Sequence, residues 1–258
     1  MVGGVVVVVG FFVVMFLTKN DNTERGNASK GSIEKLTSVP AETLEAVGVP
    51  AEPSNVNRLP SGTPAIEQDG KPVVLYVGAE YCPFCAVERW PVVVALSRFG
   101  TFSGLESTTS APAPETLPNT PTVTFHGASY TSDYLVFSSV ETETREFTTL
   151  DTPTQFQQEL FDTYNVDSIT GSTGAIPFAM VGNLYAWAGS QYDTVVLEDK
   201  NFDQIATALS NPDTDVARAI GGAANYLTAM ICQLTDGQPD DVCSSPVIQQ
   251  AQAALPTA

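Results

Sequence analysis

Val73-Val74-Leu75-Tyr76-Val77-Gly78-Ala79-Glu80-Tyr81-Cys82-Pro83-Phe84-Cys85 is the stretch on which the fold turns. Its first five residues form an unbroken apolar run, the pattern of a central strand covered on both faces. Gly78 to Tyr81 lead out of it. From Pro83 to about Phe99 the chain reads as a long helix, terminated by Gly100. Pro91 inside it removes a backbone donor and predicts a kink. Cys82 and Cys85 therefore stand where a buried strand passes into a helix.

On the C-terminal side, residues Thr101 to Pro121 are rich in Thr, Ser and Pro and read as a long inserted loop. Tyr134 to Val140 reads as a strand. Thr152 is a cap for a helix running to about Tyr164, with Pro153 at its first position and Gln155 completing a capping box. Gly174-Ala175-Ile176-Pro177-Phe178-Ala179-Met180-Val181 predicts a strand with proline at its start, where a missing donor is tolerated. Gly182-Asn183 then makes a two-residue hairpin turn into Leu184 to Ala188. Two helices follow, roughly Phe202 to Leu209 and Asp213 to Leu234. The order of strands and helices predicts an α/β domain, with a mixed central sheet flanked by helices, over residues 70–250 and a short tail over 251–258.

On the N-terminal side, residues 19–69 read as a tether and linker. One or two short helices fit between Ile33 and Val47, with Gly48 as a stop, and Pro50 to Pro64 reads as irregular. Residues 1–18 read as a transmembrane anchor. Val2 to Leu17 carries no charge and spans roughly 24 Å as a helix, a little short of a bilayer core. No small-x-small cleavage site follows, which favours an uncleaved anchor over a removed signal peptide. No Lys or Arg precedes the run and Lys19 follows it. That opposes export of the following domain under the positive-inside rule, unless a basic start is missing.

The net charge of -18 excludes nucleic-acid binding as a class, because phosphate contacts need clustered Lys and Arg. From Lys71 onward there are 21 acidic against 6 basic residues. Four cysteines fall in two separated pairs, an even count that suits an oxidising compartment.

A Cys-x-x-Cys has three readings: a redox pair, half of a zinc site, or a static disulfide. At a helix start, free backbone N–H groups and the positive dipole end favour thiolate at the first sulfur. That makes Cys82 the expected nucleophile and Cys85 the expected resolving thiol. A zinc site needs further ligands, and Cys232, Cys243 and the single His126 are the candidates. Cys232 and Cys243 flank the turn-rich Thr235 to Pro239 and read as a structural disulfide, with a second redox relay as the alternative. Tyr81 and Phe84 flank the cysteines and can form an apolar platform for a substrate chain. Glu88 and Arg89 read as a pair, Trp90 as core and His126 as structural. No flavin, nicotinamide or phosphate-loop fingerprint is present, so neither a cofactor nor a metal is expected.

The stretch Val73 to Cys85 resembles the active-site strand and turn of thioredoxins. Ile176-Pro177, followed by a hairpin, resembles that superfamily's cis-proline element. The resemblance implies that Pro177 is cis and lies against the cysteine pair, and that the Ile176 backbone pairs with the substrate. More narrowly, Gly78 to Ala86, Glu88-Arg89-Trp90, Ala95 to Phe102 and the Cys232 to Cys243 segment are similar to an uncharacterised prokaryotic family catalogued as domain of unknown function 929. One position departs from the thioredoxin pattern. Tyr76 stands where a buried acid is usual, and a phenol is a poor proton acceptor at neutral pH; Glu80 is the nearest substitute in sequence.

The expected activity is thiol–disulfide exchange with protein thiols and disulfides outside the cytoplasmic membrane, by a single-pass protein. A membrane redox partner is a further expectation. The alternatives are a thioredoxin-like binding module in which Cys82–Cys85 is a static staple, and the handling of copper or another soft metal by the two thiolates.

Overall fold

The computed structural model describes residues 26–29, 31–50 and 53–257. The expected anchor, residues 1–18, and residues 19–25, 30 and 51–52 of the expected tether and linker lie outside these residues. Among the described residues no helix is long and apolar enough to cross a membrane.

In chain order, two short helices, α1 (Ser32–Thr37) and α2 (Ala41–Val47), precede strands β1 (Asn57–Arg58), β2 (Glu67–Gln68) and β3 (Lys71–Gly78). Helix α3 (Pro83–Leu96) follows, then β4 (Gly100–Ser103), β5 (Glu106–Thr109), β6 (Pro121–Thr124), β7 (Ser129–Ser132) and β8 (Val136–Glu141). Helices α4 (Gln155–Tyr164) and α5 (Asp167–Thr170) lead to the hairpin β9 (Phe178–Val181) and β10 (Tyr185–Ala188). The chain ends with α6 (Phe202–Ala208), α7 (Asp215–Leu234), α8 (Asp240–Cys243) and α9 (Pro246–Ala254).

The central sheet is mixed, with β3 at its middle. β3 pairs antiparallel with β9 and parallel with β8, and β2 shares its first two residues. β10 and β1 extend the sheet beyond β9. The apolar run of β3 alternates between two cores, as a pleated strand must. Val74 and Tyr76 lie in a cluster with Val87, Trp90 and residues of α6, α7 and α9. Val73, Leu75 and Val77 lie in the other, with Phe178, Met180 and the apolar face of α4. Full burial of such side chains contributes roughly 1.5–3 kcal/mol each, so this strand fixes both helical layers.

Several expectations are corrected. Thr101 to Pro121 is not one loop: β4 pairs with β7 and β5 with β6, in two antiparallel ribbons beside the sheet. β-branched Thr suits a pleated, half-buried surface, so a Thr-rich composition fits strands as well as loops. The helix after β8 is capped by Thr154 rather than Thr152, with Gln157 rather than Gln155 completing the box. Gln157 also donates to Ser138 Oγ and Ser139 O, which ties α4 to β8 and sets its start. The stretch read as an irregular linker supplies β1, an edge strand of the main sheet.

Helix α2 packs on α7 through specific contacts. Asn225 donates to Leu44 O and Gly48 O, and Tyr226 donates to Pro50 O. Gly222 permits this approach, because a Cβ there would lie 2.9 Å from Pro50 Cδ.

Candidate functional site

Cys82 is the N-cap of α3, with extended backbone angles, and Pro83 takes the first turn. Its sulfur accepts a hydrogen bond from Cys85 N at 3.2 Å. Both cysteines are free thiols. Cys85 is sealed from solvent, while Cys82 keeps 5% of its surface exposed. The Cys82 thiol is held below its ordinary pKa. The leading cause is a hydrogen bond from the Cys85 thiol; burial opposes it, and the backbone N–H groups of Cys85 and Phe84 and the charge of Arg89 reinforce it. Burial pushes Cys85 well above the ordinary thiol range. The two sulfurs are thus set apart, with Cys82 the more readily ionised.

The Ile176–Pro177 peptide bond is cis and lies just before β9. Since β9 pairs with β3, it comes beside the end of β3 from which the cysteines emerge. Ile176 O is 3.9 Å from Cys82 Sγ. Two segments about 90 residues apart in sequence therefore meet at one sulfur.

Tyr76 is buried beneath the pair and its hydroxyl donates to Cys85 O at 3.4 Å. Burial holds its phenol well above the usual range, so it is a poor proton acceptor. Glu80 is partly exposed. The charged groups beneath the cysteines are Arg89 and Glu141. Arg89 Nε and Nη2 donate to the two Glu141 carboxylate oxygens at 2.8 and 2.6 Å, and Nη2 also donates to Ala79 O at 2.8 Å. Burial opposes the Arg89 charge, but the Glu141 carboxylate together with Tyr76 and Cys85 more than offsets it, so Arg89 stays protonated.

The expected Glu88–Arg89 pair does not form. Adjacent helix positions do not face each other. Glu88 turns to the opposite partners, accepting from Trp187 Nε1 at 3.0 Å and from Gln191 N at 2.9 Å. Burial raises its pKa to about 8.

Around the pair, Tyr81 stacks on Phe147 with ring centroids 4.6 Å apart, and Phe84 is exposed. A shallow cavity of about 250 Å³ opens beside them, lined by Val77, Tyr81, Gln157, Phe161 and Ile176 among others. Cys232 and Cys243 form a disulfide that joins α7 to α8, so neither is free as a metal ligand. His126 lies at the surface, 2.7 Å from Asp151.

Sequence reasoning missed two features. Glu141 had no signal of its own, but Arg89, one turn past Cys85, is the one cation in a helix whose only other charged residue is Glu88. Phe147 is a lone aromatic in the polar segment Glu143 to Thr149, and that contrast was the available clue.

A family model described as Domain of unknown function (DUF929) matches residues 63–233. The match takes in Cys82, Cys85, Arg89, Glu141, Phe147 and Pro177. No curated protein and no solved structure matches the chain.

Proposed function

Since the chain belongs to the DUF929 family, whose description states no activity, its chemistry must come from the site, and we propose that it is a thiol–disulfide oxidoreductase acting on protein disulfides through Cys82 and Cys85. The observation that carries this reading is the position of one sulfur. Cys82 Sγ sits at a helix start, 3.2 Å from Cys85 N and 3.9 Å from the carbonyl that precedes cis-Pro177.

The mixed sheet, with a cysteine pair after its central strand and a cis-proline before the neighbouring strand, supports assigning a thioredoxin-like fold. The apolar run Val2 to Leu17 and the Cys232–Cys243 disulfide support an anchored protein whose globular part lies outside the cytoplasmic membrane.

In the exchange, the Cys82 thiolate attacks one sulfur of a substrate disulfide, and the other leaves as thiolate. The Cys85 thiol loses its proton, to solvent or to the departing thiolate, and attacks Cys82 Sγ. The substrate's second thiolate is released and Cys82–Cys85 becomes the disulfide. Two electrons pass from the dithiol to the substrate, and the reverse sequence oxidises a substrate dithiol. The electrons reside in sulfur throughout, so no cofactor enters.

A static-staple reading has one observation in its favour, the burial of Cys85 and most of Cys82. Trapping separates the two. The Cys85→Ala variant should form a mixed disulfide with an oxidised protein substrate, dissolved by dithiothreitol and absent when Cys82 is also replaced. A folded variant that forms no adduct, together with a pair that resists reduction below about -300 mV, would establish the staple.

A further inference from the structure

Among the described residues the exposed large hydrophobic side chains are Phe84, Phe147 and Val195. Two of the three adjoin the cysteine pair, Phe84 between the cysteines in sequence and Phe147 through its stack on Tyr81. Phe147 breaks two rules at once. It is 56% exposed, and its φ of 59° is a left-handed conformation that an aromatic residue rarely adopts. Such outliers persist only where surrounding structure holds them, and they gather at binding sites.

That hold is visible. Phe147 is at the tip of a small hairpin closed by the Glu143–Thr149 bridge. Thr144 N donates to Thr148 O, Phe147 N donates to Thr144 O, and Thr144 Oγ1 accepts from Glu146 N and Thr148 N. The root of the hairpin is tied to the site, since Glu80 N donates to Glu143 O and Thr142 N to Gly78 O. The turn is internally satisfied, and it delivers an aromatic ring to the residue preceding Cys82.

The surrounding charge defines what this surface accepts. Glu80, Glu143 and Glu146 belong to the same unit, and Glu115 with Glu143 acts on the Tyr81 phenol. The hairpin's own cation, Arg145, is engaged by Ser110 O and Asn119 Oδ1. With a net charge of -18, a second copy of the chain or an anionic membrane surface is repelled.

We propose that Phe147, with Tyr81, binds an apolar side chain next to the reacting cysteine of a positively charged polypeptide substrate. This rests on the exchange reading and narrows its substrate class. The site is an aromatic platform with an acidic rim, so apolar contact gives affinity and charge gives encounter rate and selectivity.

The test uses the reduced full-length protein and short cysteine peptides presented as mixed disulfides with thionitrobenzoate. Three sequences are compared, Lys-Cys-Phe-Lys, Lys-Cys-Ala-Lys and Glu-Cys-Phe-Glu. The expected result is a rate ratio of about tenfold for Phe over Ala, falling toward one in Phe147→Ala and retained in Phe147→Leu. The Lys peptide should also outpace the Glu peptide, by a margin that shrinks with salt. Equal rates for Phe and Ala peptides, a ratio unchanged in Phe147→Ala, or no effect of peptide charge overturns the proposal. So does a Phe147-dependent dimer by sedimentation, or Phe147-dependent binding to anionic vesicles. Serine-for-cysteine peptides titrated for Kd keep docking separate from exchange. Phe147-dependent binding without any peptide reaction retains the docking site and removes the oxidoreductase.

Discussion

Arg89 and Glu141 are joined by two hydrogen bonds of 2.8 and 2.6 Å, with neither side chain reaching solvent, one helical turn beyond Cys85. The pair bridges α3 and the end of β8, where Glu141 is paired in register with Gly78. It occupies the interior under the cysteines together with Tyr76, whose ring centroid is 5.9 Å from the guanidinium. Within this pair it is the Arg89 charge that favours a thiolate at Cys82.

The first prediction follows from removing one partner. Arg89→Met strands the Glu141 carboxylate in the core and should cost about 3–5 kcal/mol in urea unfolding. Arg89→Met combined with Glu141→Leu should recover most of that loss. Stability and chemistry then separate, because the double variant still lacks the cation. Its Cys82 should titrate at higher pH than in the parent protein, followed by thiolate absorbance at 240 nm. An unchanged titration in a stable double variant would reduce the pair to a structural role.

The second prediction concerns the two thiols. Cys82 is lowered and Cys85 raised, so iodoacetamide should label Cys82 first, with a rate that climbs below the ordinary thiol range. The stability of the reduced protein follows with a definite sign. Between the folded and unfolded pKa values of Cys82, the unfolded chain binds the extra proton, and stability rises with pH. Above the ordinary thiol range the native state keeps the Cys85 proton that the unfolded chain releases, and stability falls. Equal labelling of both cysteines would contradict this asymmetry.

The legible part of the molecule was local. The apolar run at β3 and the proline before β9 each carry their structure in a few neighbouring residues, whereas the expected two-residue turn after β9 takes in Leu184 as well as Gly182 and Asn183, because Tyr185 is the residue paired with Val181. The β4 to β7 ribbons were hidden because Thr and Ser serve loops and half-buried strands alike, and only cross-strand pairing decides between them. The Thr154 cap was misplaced by two residues because Thr152 offers the same chemistry, and Gln157 chose between them by reaching Ser138 and Ser139. Ion-pair partners were least legible. Arg89 pairs with a residue 52 positions away, a distance at which sequence spacing carries no geometry. Phe147 owes its role to a turn built from Thr144 hydrogen bonds, which composition alone does not reveal.

The third prediction uses Glu88. Burial raises its pKa from the ordinary 4.5 to about 8, so the native state holds a proton that the unfolded chain has released. Stability should therefore decline as pH rises from about 4.5 to 8, by a few kcal/mol in all. Glu88→Gln removes the titration and should flatten this part of the curve. The gain at pH 8 will be partial, since two donors, Trp187 Nε1 and Gln191 N, meet an amide with one oxygen. A decline of the same steepness in the variant would assign the pH dependence elsewhere.

The last prediction concerns Cys232 and Cys243, for which a relay and a staple make opposite forecasts. The bond closes a separation of 11 residues, and closing so short a loop in the unfolded chain is worth about 3 kcal/mol on the chain-entropy account. Both sulfurs are buried, and α8, which carries Cys243, is a single turn with only Pro239 before it as a cap. Nothing there activates a thiolate as the start of α3 does for Cys82. Replacing both by Ala should lower stability by about that amount and leave the rate of Cys82 alkylation and the redox equilibrium of Cys82–Cys85 with glutathione unchanged. If instead the double variant loses turnover with protein disulfides at undiminished Cys82 reactivity, electrons pass through the second pair, and the disulfide is a relay.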